Sequence, residues 1–222
     1  MALKVPLTII NFKAYKTSTG RNAVRLAKLC QQVAKKLKAN IAVAVQPADI
    51  ALVSKAVKIP VLAQHVDAIE YGAHTGSVLP ENVKENGATG TLLNHSEKRI
   101  DLQTLASIIA RCKKLKLATV VCASTPALAI QIAGLKPDFI AIEPPELIGG
   151  RIAVSQARPE VITETTSNIR NVPVLCGAGV HSYDDVKKAV RLGVKGILVA
   201  SGVTNAKEPA KVLRELVLGL KK

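Results

Sequence analysis

The chain has 222 residues and a mass of 23.4 kDa, and its 31 Lys and Arg against 16 Asp and Glu leave a formal charge of +15. Hydrophobic residues make up 48% and aromatics only 2%; no apolar run approaches the roughly 18 residues of a membrane span, so the composition describes a globular protein with an ample core of Val, Ile, Leu and Ala, and no membrane partner is expected. Such a core suits parallel strands covered by helices better than an antiparallel sandwich.

Taken in chain order, short apolar runs alternate with amphipathic stretches. The runs are Leu7–Ile10, Ile41–Val45, Val61–Ala63, Thr91–Leu93, Ala118–Val121, Phe139–Ile142, Val172–Leu175 and Ile197–Val199. Helical patterns fall between them, among them Arg21–Lys38, Asp101–Lys114, Asp184–Leu192 and Pro209–Leu218. Thr125-Pro126 offers a cap followed by Pro at the first helical position. Ser182-Tyr183-Asp184-Asp185 has the form of a capping box with Asp in place of Glu, and Gly193 is a helix stop. Strand then helix, eight times, is the signature of parallel βαβ units. A doubly wound sheet usually has fewer strands, and neither GxGxxG after the first run nor GxxxxGK[ST] anywhere is present. The fold class expected is α/β, a (β/α)8 TIM barrel, with residues 1–222 as one catalytic domain.

The basic residues are spread along helical patterns (Lys35-Lys36-Leu37-Lys38, Lys113-Lys114-Leu115-Lys116, Lys187-Lys188) rather than gathered in a tail. With no Trp, three Tyr and two Phe there is no stacking platform for single strands, and no helix-turn-helix or zinc-finger spacing occurs. The charge therefore reads as solvated helix faces with some added attraction for a phosphorylated substrate, and no nucleic-acid partner is expected. Cys30, Cys112, Cys122 and Cys176 form no CxxC pair and read as buried reduced thiols, the four His show no metal spacing, and residues 1–10 lack a signal-peptide profile. A cytoplasmic location is the expectation.

In a barrel of this kind chemistry sits at the C-terminal ends of the strands. Asn11-Phe12-Lys13 follow the first run, Asn94-His95-Ser96-Glu97 the fourth, Glu143 the sixth, Gly177-Ala178-Gly179 the seventh and Ala200-Ser201-Gly202 the eighth. Glu143 is the most telling, because a charge at the edge of a buried strand is costly unless a partner or a reaction needs it. Lys13, His95, Glu97 and Glu143 can transfer or polarise protons, while the Gly-rich ends can present backbone N–H groups to a phosphate. That combination suits proton abstraction beside a carbonyl in a small sugar phosphate. Each residue also has a structural reading: a core histidine, a solvent-reaching lysine, a Glu97 paired with Lys98 or Arg99, a tight turn at Gly177 and Gly179.

Asn11-Phe12-Lys13, Asn94-His95-Ser96-Glu97-Lys98-Arg99 and Glu143-Pro144-Pro145-Glu146-Leu147-Ile148-Gly149 closely resemble the triosephosphate isomerase family in its short archaeal form, and the similarity continues through Cys176-Gly177-Ala178-Gly179 and Leu198-Val199-Ala200-Ser201-Gly202. The resemblance implies that Glu143 moves a proton between the two carbons of a triose phosphate, with His95 polarising the carbonyl as a neutral imidazole. It makes Lys13 the stabiliser of the enediolate oxygen and of the phosphate charge, with Asn11 and Phe12 beside it and Glu97 orienting the Lys13 and His95 region. It puts backbone N–H groups near Ile148, Gly149, Gly179, Ala200 and Ser201 on the phosphate, makes Pro144–Ala153 a lid, and requires no cofactor and no metal. It further implies that Gly72-Ala73-His74-Thr75-Gly76-Ser77 reaches into a neighbouring subunit of a homotetramer, or alternatively a homodimer. Two departures stand out: Ile148-Gly149 is followed by Gly150-Arg151 where relatives continue Thr-Gly, and Gly179 stands where longer relatives place Ser. The competing readings are another phosphate-binding barrel, such as a Schiff-base aldolase or an indole-glycerol-phosphate-type synthase, and a basic nucleic-acid-binding scaffold.

Overall fold

In the computed structural model, which describes residues 3–144, 146 and 153–221, the eight strands form one closed, all-parallel barrel. They are β1 (Leu7–Asn11), β2 (Asn40–Val45), β3 (Val61–Ala63), β4 (Gly90–Leu93), β5 (Ala118–Ala123), β6 (Phe139–Ile142), β7 (Val174–Cys176) and β8 (Gly196–Val199). The helices of the described residues are α1 (Arg21–Leu37), α2 (Ile50–Ala56), α3 (Pro80–Glu85), α4 (Leu102–Lys114), α5 (Pro126–Gly134), α6 (Val154–Ala157), α7 (Pro159–Asn168), α8 (Tyr183–Arg191), α9 (Ser201–Thr204) and α10 (Pro209–Gly219).

Period explains both layers. Along α1 the buried residues are Ala23, Leu26, Ala27, Cys30, Val33 and Ala34, a three-to-four spacing that gives the helix one apolar stripe against the sheet. Every strand residue from β3, β4, β6, β7 and β8 is buried, as parallel strands covered on both faces require. Alternate residues then sort into two apolar clusters. Leu7, Ile9, Ala42, Ala44, Leu62, Val120 and Leu175 fill the lumen, while Ile10, Val43, Val45, Val61, Val121 and Ile140 face the helices.

The caps form as the sequence indicates. The Thr125 hydroxyl accepts the Leu128 N–H, the Asp101 side chain accepts the Thr104 N–H, and Ser182 and Asp185 complete a reciprocal capping box. Several strand boundaries differ by one or two residues. The seventh run, expected at Val172–Leu175, forms a strand only over Val174–Cys176. Pro173 has no N–H to give a ladder; its carbonyl accepts from Ile140, and pairing starts at Val174. At the other end β5 runs on to Ala123, because Cys122 and Ala123 are in register with Ala141 and Ile142.

Closure between the first and last strands depends on one missing side chain. Leu7 pairs with Gly196, and a Cβ built at Gly196 would lie 2.1 Å from the Leu7 carbonyl oxygen. Backbone on the neighbouring strand cannot give way as a flexible side chain could. Gly196→Ala is expected to lower the unfolding free energy by about 1–3 kcal/mol, the usual cost of overpacking; equilibrium denaturant unfolding with an unchanged m-value checks it, and stability within ~0.5 kcal/mol of the native chain would refute the steric account.

Candidate active site

The C-terminal ends of β1, β4, β6, β7 and β8 open into one cavity, whose walls include Asn11, Lys13, His95, Glu143, Gly177, Gly179, Ala200 and Ser201. Each side chain is placed by a local device. Asn11 closes β1 and is buried, and its Oδ1 accepts the Lys13 N–H at 3.0 Å. That bond helps hold Lys13 at φ 48°, a left-handed conformation that a lysine rarely adopts. Gln64, immediately after β3, adds a second hold: its Nε2 donates to the Asn11 Oδ1 at 3.3 Å and to the Lys13 carbonyl at 3.0 Å. So fixed, the Lys13 ammonium meets Glu97 Oε1 at 2.7 Å. The lysine side chain is 12% exposed and the glutamate 62%, so the ion pair lies at the mouth rather than within the core.

Asn94 also has a positive φ, 56°, and ties the loop after β4 to the neighbouring strand. Its Oδ1 accepts the Ile100 N–H at 3.0 Å and its Nδ2 donates to the Cys122 carbonyl at 2.9 Å. This turn sets His95 between two carboxylates, with Nδ1 3.6 Å from Glu97 Oε2 and Nε2 4.0 Å from Glu143 Oε2. The Glu97 backbone N–H donates to Nδ1 at 3.2 Å. An Nδ1 that accepts cannot carry the proton, so the neutral ring holds it on Nε2, the nitrogen facing Glu143. Burial, and then the Lys13 ammonium, push the His95 pKa down to about 4, with Glu97 pulling the other way and Arg99 adding to the fall. The ring is neutral near pH 7, so its 4.0 Å approach to Glu143 is not an ion pair.

Glu143 follows β6, its N–H bonded to the Ala123 carbonyl at 2.8 Å. Its side chain is 5% exposed, and Oε2 has no hydrogen-bond partner among the described residues. Burial raises its pKa to about 7; the Cys122 thiol, Lys13 and Arg99 lower it, and Glu97 raises it. The carboxyl fits because residue 177 has no side chain: a Cβ there would lie 2.3 Å from the Glu143 Cγ. Gly177, read from the sequence as a turn or phosphate contact, thus makes room for the glutamate.

The other expected residues fall as follows. Gly179 (φ 68°), Ala200 and Ser201 line the same cavity, with α9 beginning at Ser201. Phe12 is fully buried in the layer between sheet and helices, so its side chain packs the core while its neighbours line the site. Ile148, Gly149, Gly150-Arg151 and most of the segment Pro144–Ala153 lie outside the described residues. Four neighbours escape a reading based on strand ends. Tyr15 and His181 line the cavity from positions two residues beyond the last residues named at their strand ends, Lys13 and Gly179. Cys122, visible in the sequence only as a buried thiol, sits against Glu143. Gln64 was accessible, since it directly follows the third apolar run as Asn94 follows the fourth.

A family model described as "Triosephosphate isomerase" matches residues 6–216. The chain is similar to the triosephosphate isomerase of Methanothermus fervidus, 49% identical over 216 residues that cover 96% of this chain and 97% of that protein. It is 50% identical over 218 residues to that of Methanobacterium bryantii, covering 96% of each, and 46% identical over 220 residues to that of Metallosphaera sedula, covering 98% and 96%.

The two shifted groups make opposite pH contributions to stability. Glu143, with its pKa raised from 4.5 to about 7, contributes stability below about 4.5 that is lost as pH rises through about 7; His95, lowered from 6.5 to about 4, costs stability below about 4, a cost removed as pH rises to 6.5. Above pH 7 the burial penalty of the Glu143 carboxylate remains. Glu143→Gln should therefore be more stable than the native chain at pH 8, by on the order of 2–3 kcal/mol, and the gain should vanish near pH 4. Denaturant unfolding at the two pH values checks this, and a pH-independent difference would contradict it.

Proposed function

The chain belongs to the triosephosphate isomerase family, and from that premise we propose that Glu143, His95, Lys13 and Glu97 carry the family's reaction in this protein. The chain is an isomerase that interconverts dihydroxyacetone phosphate and D-glyceraldehyde 3-phosphate, a step of glycolysis. Of the rival barrels, a Schiff-base aldolase would need its lysine within a barrel strand, whereas Lys13 lies beyond the end of β1 with its side chain held by Glu97 at 2.7 Å.

The observation that carries the assignment is Glu143 Oε2, without a partner among the described residues, facing the Nε2–H of a neutral imidazole across a cavity that also holds Lys13. With substrate between them, the carboxylate takes a proton from the carbon next to the carbonyl. The C–H electrons form the new C=C bond, and the carbonyl pair moves onto oxygen, giving an enediolate. His95 donates from Nε2 to the oxygens, carrying a proton from one to the other, and the Lys13 ammonium offsets the developing negative charge. The protonated Glu143 then returns the proton to the adjacent carbon. A carboxylate base beside a neutral imidazole is the recognised pattern for triosephosphate isomerases. Asn11 and Gln64 act by holding Lys13, and Glu97 by bridging Lys13 and His95.

The proposal extends to the phosphate, gripped by backbone N–H groups around Gly179, Ala200 and Ser201. It treats residues 1–222 as one catalytic domain, since all eight strands close a single barrel. Self-association as a homotetramer, with a homodimer as the alternative, is supported by the segment 70–77. That segment is exposed throughout and carries Tyr71 at 68% exposure. Asp67 closes its neck by accepting the Val78 N–H at 2.7 Å and meeting His65 at 2.9 Å. A cytoplasmic location is supported by four buried free thiols. No helix among the described residues is long and apolar enough to cross a membrane.

A coupled assay in both directions tests the residue roles. Glu143→Gln should reduce kcat by at least ~10²–10⁴, the range for loss of a general base, with little change in the affinity for a phosphoglycolate-like inhibitor; unchanged turnover would remove Glu143 from the mechanism. Log kcat/KM should rise with pH and level off near 7, where free Glu143 ionises, with no inflection from His95 above pH 5. For Lys13→Ala both turnover and inhibitor affinity should fall, and normal inhibitor binding would count against its contact with the phosphate.

A further inference from the structure

The cations are not spread evenly over the molecule. The loops that leave the C-terminal ends of the strands hold many carboxylates, Asp49, Asp67, Glu70, Glu97, Asp101 and Glu143 among them. The segments that lead into the strands, on the opposite face, hold Lys4, Lys38, Lys58, Lys116, Lys136, Arg170 and Lys195, all exposed. Their one acid, Asp138, is engaged by the Thr119 N–H and hydroxyl. Among the described residues the ion pairs involve only Lys13, Arg111 and Arg158 of all the lysines and arginines, so this face is uncompensated.

Helix C-termini also point here, each contributing about half a negative charge. They attract cations, but α1, α2, α3, α4 and α8 already bring their own in their last turns. The loop cations come in addition. Three of them, Lys38, Lys116 and Lys136, occupy left-handed positions (φ 49°, 57° and 56°) where glycine or asparagine is the favoured residue. The face is also grooved. Lys84, Lys113 and Lys116 line a groove of ≈ 460 Å³, Lys4 and Lys58 one of ≈ 310 Å³, and Arg170 and Lys195 one of ≈ 610 Å³. Leu3 borders the first two, which are therefore adjacent.

We propose that this face, opposite the active site, binds a linear inorganic polyphosphate. The chemistry of the surface selects that partner. Its cations are lysines with one arginine, point charges suited to phosphate oxygens without planar bidentate contacts. Of the aromatics, Tyr15 lines the active-site cavity, Tyr71 lies in the loop after β3, Tyr183 begins α8, Phe12 is buried, and Phe139, which borders the first groove, is only 5% exposed, so no open ring face is offered for bases to stack on. A thin, flexible chain of phosphates can follow adjacent grooves that a rigid duplex cannot enter, and no large exposed apolar side chain beyond Val5 is available on the leading segments to insert into a lipid surface.

The test is fluorescence anisotropy with end-labelled long-chain polyphosphate on the intact enzyme. Binding should weaken steeply with added KCl as counterions compete. The variant Lys58→Glu/Lys113→Glu/Arg170→Glu/Lys195→Glu should lose at least ~tenfold in affinity with kcat/KM for the isomerisation unchanged, whereas Arg25→Glu/Lys28→Glu/Lys207→Glu/Lys211→Glu, with the same net charge, should lose far less. Lysine acetylation of the native enzyme gives a reading that needs no variant: polyphosphate should protect Lys58, Lys116 and Lys195 while Lys28 and Lys211 stay reactive. Equal losses in the two variants, uniform protection, no binding at low salt, or tighter binding of duplex DNA or phosphatidylserine vesicles at equal phosphate concentration would each overturn the proposal.

Discussion

One carboxylate in a dry place governs the arrangement of this molecule. Glu143 ends a strand buried on both faces, and one of its oxygens has no partner among the described residues. Water would solvate that oxygen well, so holding it in the interior costs free energy that the rest of the barrel must offset. The offset is distributed. A closed ring of eight strands satisfies its own backbone groups, and two apolar layers pack its inner and outer surfaces, fixing the floor on which the carboxyl stands. Even the space it occupies is supplied from elsewhere, by the absence of a side chain at Gly177 on the next strand end.

The same burial acts with opposite sign on the two titrating groups. It penalises whichever form is charged, so the acid is drawn up to about 7 and the imidazole down to about 4. A carboxyl that ionises near neutrality and an imidazole that stays neutral therefore arise from one cause. Lys13 supplies the fixed positive charge. It lowers both pKa values, further suppressing the imidazolium while restraining the rise at Glu143. The ion pair with Glu97 keeps that charge at the mouth, where solvent moderates it.

Much of this was legible in the sequence because it depends on local pattern. Strand and helix periods placed all eight runs, and the rule that polar residues after apolar runs face the site brought out Asn11, Lys13, His95 and Glu143. The family resemblance resting on those motifs agrees with the match over residues 6–216. What escaped depends on three-dimensional adjacency. Gln64 stands at a strand end but shows its purpose only when Asn11 and the strained Lys13 lie beside it. Cys122 looks like any buried thiol until β5 is seen to run past Val121 and bring it to Glu143. Phe12 sits inside a functional motif yet faces the helices, because alternation along the chain turns its side chain to the other face. The start of β7 was misplaced for a simpler reason, a proline that apolar character alone does not reveal.

The bond that fixes the imidazole tautomer comes from the main chain, the N–H of residue 97. Nineteen of the twenty amino acids supply that group, and only proline lacks it. The identity of the side chain at 97 can thus change, altering the charge beside Lys13, without moving the proton from one ring nitrogen to the other. Tautomer and local charge are set by the same residue through separate atoms, which leaves the first nearly immune to mutation and the second free to be tuned.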